Sequence, residues 1–230
     1  MIYFIIVLFK TPRKDKDLLV SQIIIIDNTN TGRGFAQGVN IGIKKALRFH
    51  AKTVFILNPD ISISQLSREK LLFPSKYFDI WGFRMNQHNK LYYGGYLEKW
   101  RMSSILSTKK PKPRFISCTF VTGSLMGIDT KVFEKIGLFD ESYFMYYEDV
   151  DFCLRALKAN LKIGIDTKYQ YIHKEYSTKF SKKEYYLAKN RLRVLFRYGN
   201  FIQQLREIIR VPKTILEYRN LLLSTIFRKN

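Results

Sequence analysis

Three aspartates stand where a run of apolar residues gives way to a polar turn or a helix start, and those settings suit work on a phosphorylated ligand. Asp27 closes the run Gln22 to Ile26 and leads into Asn28-Thr29-Asn30-Thr31-Gly32-Arg33-Gly34. A carboxylate at a strand end can accept hydrogen bonds from a base or ribose, and nearby glycines admit a ligand close to the backbone. The plain alternative is an Asx turn. Asn58-Pro59-Asp60 follows the run Thr53 to Leu57. Pro59 keeps Asn58 extended, so the strand runs to its tip and Asp60 presents its carboxylate there. One hard carboxylate, completed by phosphate oxygens and water, is how Mg²⁺ or Mn²⁺ is commonly held in nucleotide sites. The ion would neutralise charge on a departing diphosphate; the alternative is a surface turn. Glu148-Asp149-Val150-Asp151 opens a helix. The helix dipole favours acids there by itself, and the other reading makes one of them a general base toward a hydroxyl.

Two further features belong with these. Phe139 to Tyr147 combines Asp140 and Glu141 with five aromatic residues, which suits a wall for a ring-shaped polar ligand whose hydroxyls carboxylates would grip. His173 follows the strand-like stretch Ile163 to Ile172. It is either a satisfied surface residue or, as a neutral imidazole brought near Asp60, a metal ligand. His50 and His88 have no such setting and are given no role.

The elements that must position these groups read as an α/β fold. Ile2 to Leu8, Gln22 to Ile26 and Thr53 to Leu57 are continuous β-branched and aromatic runs, expected of strands buried on both faces. A helix from about Val39 to Phe49 between two of them implies parallel strands, whose carboxyl ends bind ligands. Phe83 to Met85 and Leu91 to Tyr93 flank the polar turn Gln87 to Lys90 and predict a hairpin. Ser103 to Pro113, polar and basic with Pro111 and Pro113, reads as a mobile loop. Strand-like residues return from Phe115 to Ile128. Lys131 to Ile136 is a short helix ended by Gly137. From Glu148 a helix places Val150, Cys153, Leu154, Leu157 and Leu161 on one face. The expected domains are residues 1–182, carrying the sites above, and 183–230, a basic amphipathic helical tail that Pro212 divides in two.

The chain of 230 residues is 46% hydrophobic, enough for a real core, and contains no low-complexity stretch. Cys118 and Cys153 both lie in apolar stretches, which fits buried free thiols in a reducing compartment and not a disulfide framework. The apolar start, Met1 to Phe9, is too short to span a bilayer and reads as a strand. The formal charge of +21 calls for a polyanionic neighbour: nucleotide phosphates, nucleic acid or an anionic membrane.

In order along the chain stand Asp27-Asn28, Gly34 to Ile43, Asn58-Pro59-Asp60, Gly123-Ser124-Leu125-Met126, Ile136 to Glu141, Glu148-Asp149-Val150-Asp151 and His173. From about Ile2 to Arg197 this pattern resembles the family 2 glycosyltransferases, particularly their rhamnosyltransferase-like members. The resemblance implies a GT-A fold, a Rossmann-like and mostly parallel sheet flanked by helices, and an inverting transfer of a sugar from a nucleotide-diphosphate donor. It implies Asp27, Asn28, Gly34, Asn40, Asn58 and Asp60 as nucleotide-sugar contacts, with Asn58 where the family more often has a first Asp. It further implies Asp60 and His173 at a Mg²⁺ or Mn²⁺ ion, Asp149 as base with Glu148 orienting the acceptor, and Asp140, Glu141 and Tyr147 at the acceptor or supporting its loop. The acceptor would be a glycan or lipid-linked hydroxyl in cell-surface polysaccharide synthesis. The family usually places a full helix between its first two strands, where this chain has only Lys10 to Gln22.

Two other classes compete. A nucleic-acid-binding protein would explain the charge, but the basic residues gather in the tail and one loop and match no nucleic-acid motif. A non-catalytic glycosyltransferase homologue would explain the short amino-terminal region. The expected place is the cytoplasm, with the tail either capping the fold or resting on the inner face of the cell membrane.

Overall fold

The computed structural model describes residues 1–9, 22–174 and 180–227. The expectation of a missing first helix falls on 10–21, outside the described residues. In chain order the strands are β1 (Ile2–Leu8), β2 (Ile23–Asp27), β3 (Thr53–Leu57), β4 (Ile61–Ser62), β5 (Ile80–Gln87), β6 (Lys90–Tyr92), β7 (Gly95–Leu97), β8 (Ser104–Leu106), β9 (Phe115–Ser117), β10 (Leu125–Asp129) and β11 (Ile163–His173). The helices are α1 (Phe35–Arg48), α2 (Arg68–Leu72), α3 (Lys131–Ile136), α4 (Glu148–Lys158), α5 (Phe180–Tyr198) and α6 (Phe201–Phe227).

The described chain divides into two compact units. One comprises Met1–Tyr96 with Ile105–Tyr176, the other Leu97–Ser104 with Ser177–Asn230.

The first unit is the expected α/β sheet with flanking helices. Its path runs β2-β1-β3-β10-β5-β11-β4, with β6 and β9 paired off it. The sheet is mixed: β1 is parallel to β2 and β3, and β5 to β11, but β10 runs antiparallel between β3 and β5. β1 and β3 became strands because both faces are covered there; every residue of β3 is buried. By contrast β2, also expected to be buried on both faces, is the edge strand and buries only Ile26, with Ile25 50% exposed. Phe4 stacks on Phe55 at 5.2 Å and Phe55 meets Trp81 edge-on at 5.7 Å. The fully buried indole of Trp81 donates to the Leu71 carbonyl at 2.8 Å, so its one polar atom is satisfied.

α1 covers β1 closely because Gly38 faces it. A Cβ on Gly38 would lie 2.7 Å from the Val7 side chain and 2.6 Å from the Asn28 amide. The helix begins at Phe35, ahead of the Val39 expected, with Gly34 as its cap. The predicted hairpin is β5–β6. The expected loop Ser103 to Pro113 carries β8, which pairs with β7 and closes a hairpin through the bonds from Glu98 N–H to Ser103 O and from Met102 N–H to Glu98 O. α4 buries Val150, Phe152, Cys153 and Ala156. Leu157, expected on that face, is exposed because Phe139 stacks on Phe152 at 4.1 Å and sets the buried side of the helix. Cys118 and Cys153 are buried and free.

In the second unit Pro212 does not divide the tail: it lies inside α6, and the break falls at Gly199-Asn200. Asn200 and Gln203 make a reciprocal capping box. The Gln203 N–H donates to Asn200 Oδ1 at 2.9 Å and the Asn200 N–H donates to Gln203 Oε1 at 2.7 Å. That pair satisfies two otherwise orphaned donors and starts α6 at Phe201. Inside α6 the proline forgoes a single backbone hydrogen bond.

Candidate active site

The site is assembled at the rim where β2 and β3 end. The β4–β11 ladder sets Ile61 opposite His173, and the Lys174 N–H donates to the Asp60 carbonyl at 3.0 Å. That register brings Asp60 Oδ1 to 3.3 Å from His173 Nε2, with both side chains nearly buried. The other ring nitrogen, Nδ1, is buried without a hydrogen-bond partner. Asp60 and His173, far apart in sequence, therefore meet as the metal reading requires.

Side chains two apart on a strand share a face, so Tyr171 lies beside His173. Its hydroxyl is 2.7 Å from Ser124 Oγ and 3.1 Å from Thr122 Oγ1, and those two are 2.7 Å apart. Burial pushes the Tyr171 phenol up to about 12, and both Asp149 and Asp60 add to that effect. Ser124 is tied to β3 as well: its carbonyl accepts the Asn58 N–H at 3.0 Å. One residue earlier, the Gly123 N–H donates to Asp149 Oδ2 at 2.9 Å. Asp60 and His173 thus meet beside Tyr171, their neighbour on β11, which bonds to Ser124, and the adjacent Gly123 bonds to Asp149; both Asp60 and Asp149 act on the Tyr171 phenol.

Asp149 sits at the amino end of α4, where its Oδ1 also accepts the Val150 N–H at 2.8 Å. Burial raises its carboxyl above the usual aspartate range, against the pull of those N–H donors. Glu148 beside it is 6% exposed, and its Oε2 lacks a partner. Burial first and the Asp149 charge second push it well above the carboxylate range. Two adjacent acids with proton affinities driven upward suit proton transfer near neutrality better than free carboxylates would. Tyr146 and Tyr147 lead into the helix with φ of 64° and 70°, a left-handed pair that bulky side chains rarely adopt. Such strain persists where the surroundings enforce it, and clusters at functional sites.

The surroundings here are a pinned loop. The Asn40 side chain donates to the Phe139 carbonyl and to Glu141 Oε1, each at 2.9 Å, and its Oδ1 accepts the Phe139 N–H at 3.0 Å. Asn40, expected at the nucleotide, is 2% exposed and spends its amide holding this loop to α1. Asp140 and Glu141 both make loop-supporting bonds, Asp140 by accepting the Ser142 N–H at 3.0 Å. Tyr147 is buried. Arg155, paired with the fully buried Asp151 at 2.9 Å, donates to the carbonyls of Ile136 and Leu138.

Asp27 and Asn28 lie at the end of β2, two strands from β3 across β1, with Asp27 in register with Leu8. The Asp27 carboxylate accepts the Thr29 N–H at 2.8 Å, and hydrogen bonding by Thr29 holds it below the usual range. Asn28 is buried. Its amide donates to the Gly34 carbonyl at 2.9 Å, and its Oδ1 has no partner. Gly34 presses on the loop before α4: a Cβ there would lie 2.5 Å from the Phe144 carbonyl oxygen, which accepts the Phe35 N–H at 2.7 Å. This contact ties the Asp27 turn to the segment leading into α4.

Sequence reasoning assigned no role to Tyr171, Thr122 or Arg33, nor to Gly123 and Ser124 beyond their motif. Tyr171 was legible as the residue two before His173 on one strand. Arg33, whose guanidinium donates to the Asp27 carbonyl and Thr31 Oγ1 at 3.2 Å each, was legible as the one cation in the glycine turn.

No known family profile matches the chain. Over 194 residues it is 27% identical to the low-salt glycan biosynthesis hexosyltransferase Agl10 of Haloferax volcanii, covering 70% of this chain and 62% of that protein. Over 102 residues it is 34% identical to the rhamnosyltransferase WbbL of Escherichia coli K12, covering 42% of this chain and 39% of that one. The chain is similar in sequence to named glycosyltransferases, a hexosyltransferase and a rhamnosyltransferase. Its fold is GT-A-like: a crystal structure of GalNAc-T7 with UDP, GalNAc and Mn²⁺ superposes with a TM-score of 0.61 at 15% identity, covering 88% of this chain and 48% of that one. The chain thus spans less than two thirds of each of these relatives.

The buried Glu148 gives the glycosyltransferase-like site a pH signature. Below the unfolded glutamate value of 4.5 both states hold the proton and Glu148 contributes nothing. Above it the unfolded state ionises first, so folding loses up to about 1.4 kcal/mol per pH unit until the raised folded value is reached. Glu148→Gln removes this loss. Its Tm should match wild type at pH 4 and exceed it at pH 8 by differential scanning fluorimetry; an equal offset at both pH values would refute the buried acid.

Proposed function

We propose that the protein transfers a sugar from a nucleotide-diphosphate donor to a hydroxyl of a glycan or lipid-linked acceptor, with inversion, in cell-surface polysaccharide synthesis at the cytoplasmic face of a membrane. The observation that carries the reading is the convergence of Asp60, His173 and Asp149 around Tyr171 and the Thr122 to Ser124 turn at one sheet rim. Asp149 takes the acceptor hydroxyl proton while that oxygen bonds to the anomeric carbon. The bond from that carbon to the diphosphate oxygen breaks, and the diphosphate leaves with the electron pair. The Gly123 and Val150 N–H groups fix the carboxylate for this step, and positioning of this kind supplies much of the rate. Glu148, kept protonated by burial, donates a hydrogen bond that orients the acceptor. Asp27, Asn28 and Arg33 lie where a base, ribose and phosphate would meet the rim. Asp140, Glu141 and Tyr147 shape the acceptor wall.

Asp60 and His173 offer one carboxylate and one imidazole, and among the described residues no group of three or more His, Cys, Asp or Glu forms a cage. A two-donor set with an orphaned ring nitrogen fits Mg²⁺ or Mn²⁺ whose remaining ligands are diphosphate oxygens and waters. When bound, the ion neutralises charge on the leaving diphosphate.

A thermal-shift screen of nucleotide sugars with and without Mn²⁺ tests donor and metal together. One nucleotide sugar should raise Tm, more so with Mn²⁺, and Asp60→Asn should erase the Mn²⁺-dependent part. Retention of that part in Asp60→Asn would remove Asp60 from the metal.

A further inference from the structure

Helix α6 exposes a stripe that no part of its own unit covers. Phe201, Ile202, Leu205, Ile208, Ile209 and Leu216 are between 44% and 76% exposed. At about 100° per residue these six fall within an arc of about 120°. Glu207 lies on the opposite side of the helix, 1% exposed, where it accepts from Arg191 of α5 and lies 3.6 Å from Arg101. Gln203 likewise turns inward, donating to the Lys99 carbonyl. The ionic clamp thus fixes which side of α6 faces its unit, and the apolar arc faces out.

Among the described side chains, the exposed charges beside the arc are cations. Arg206 and Lys213 flank it and Arg219 lies in it, all exposed, and Arg206 rests 4.7 Å over the half-exposed ring of Trp100. Glu207, the acid next to Arg206 in sequence, is withdrawn into the clamp. An exposed patch of this kind marks a docking surface. An apolar face of Phe, Ile and Leu with cations along its edge matches the plane of an anionic bilayer: the apolar side chains enter the acyl boundary and the cations meet lipid phosphates. Among the described residues no helix is long and apolar enough to cross a membrane.

We infer that α6 is a membrane-docking helix, with Phe201, Ile202, Leu205, Ile208, Ile209 and Leu216 inserted among the acyl chains of an anionic bilayer and Arg206, Lys213 and Arg219 on its headgroups. This rests on the proposed membrane setting of the enzyme, and names the surface that achieves it.

The test uses the full chain with vesicles of phosphatidylcholine alone and with phosphatidylglycerol added, read by sedimentation. Wild type should pellet with the anionic vesicles and much less with the neutral ones. Ile202→Gln with Ile208→Gln and Ile209→Gln, all at exposed positions, should lower vesicle affinity by about tenfold or more with Tm unchanged. Arg206→Gln with Lys213→Gln should reduce binding and remove its dependence on salt. Unchanged pelleting in both variants overturns the inference. So does a wild type that self-associates without lipid and is made monomeric by the isoleucine changes, which would make the arc an interface between copies. Transfer to a soluble acceptor is measured alongside. Lost vesicle binding with transfer intact in wild type sinks the docking helix alone, and vesicle binding without transfer sinks the sugar-transfer reading alone.

Discussion

Asp149→Asn should lower sugar transfer by about 10²–10⁴-fold, the range a positioned general base supplies, while leaving donor affinity within about twofold of wild type by calorimetry. The amide keeps the shape of the side chain, and its oxygen can still accept from the Gly123 or Val150 N–H, so the end of α4 stays in place. What is lost is the capacity to take a proton. Because burial raises the Asp149 carboxyl, the acid limb of the kcat/KM profile should lie above the ordinary aspartate value of 3.8. As pH rises through that limb the carboxylate forms and the rate climbs. An Asn variant that turns over at the wild-type rate removes Asp149 from the chemistry.

Gly34→Ala should be the most damaging small change away from the carboxylates. The new methyl would stand 2.5 Å from the Phe144 carbonyl oxygen and 2.7 Å from its Cα. Those are backbone atoms, so the methyl cannot be accommodated by a side-chain rotation. The segment of Phe144 to Tyr147 must shift, and with it the left-handed pair that sets the start of α4. Overpacking of this kind costs about 1–3 kcal/mol of stability. A misplacement of about 1 Å at the reacting groups can cost about 10²-fold in rate. The expected result is a lowered Tm together with a kcat loss that exceeds the change in donor affinity. A variant with normal kcat and only a weaker donor constant would confine Gly34 to the nucleotide pocket.

Much of this was legible beforehand, for identifiable reasons. β1 and β3 were readable because strands covered on both faces must be apolar at every position, and β2 was readable by the same apolar run although it lies at the sheet edge with Ile25 half exposed. The aspartates that follow them inherit their place from the rule that parallel strands deliver ligands to their carboxyl ends. Asp149 was readable only through the order of the motifs, since acids at a helix start have an ordinary electrostatic cause. The start of α1 was placed late because Gly34 caps it without a side-chain bond. Pro212 marks no break, because the Asn200-Gln203 capping box decides where α6 starts. Tyr171 and the hydroxyls of Ser124 and Thr122 were missed for another reason. They come together only through the pairing of β10 and β11 with β5, a register no local pattern reveals. Asn40 shows the converse: the resemblance alone put it at the nucleotide, but the fold uses both ends of its amide to hold the turn at Phe139.

The central claim is a single displacement at the anomeric carbon with Asp149 as the only base. The most direct measurement is proton NMR of the glycoside formed from whichever nucleotide sugar stabilises the protein, recorded early in the reaction. The account predicts a product whose anomeric configuration is opposite to the donor's, with one nucleoside diphosphate released for each bond made. A product that keeps the donor's configuration would contradict it.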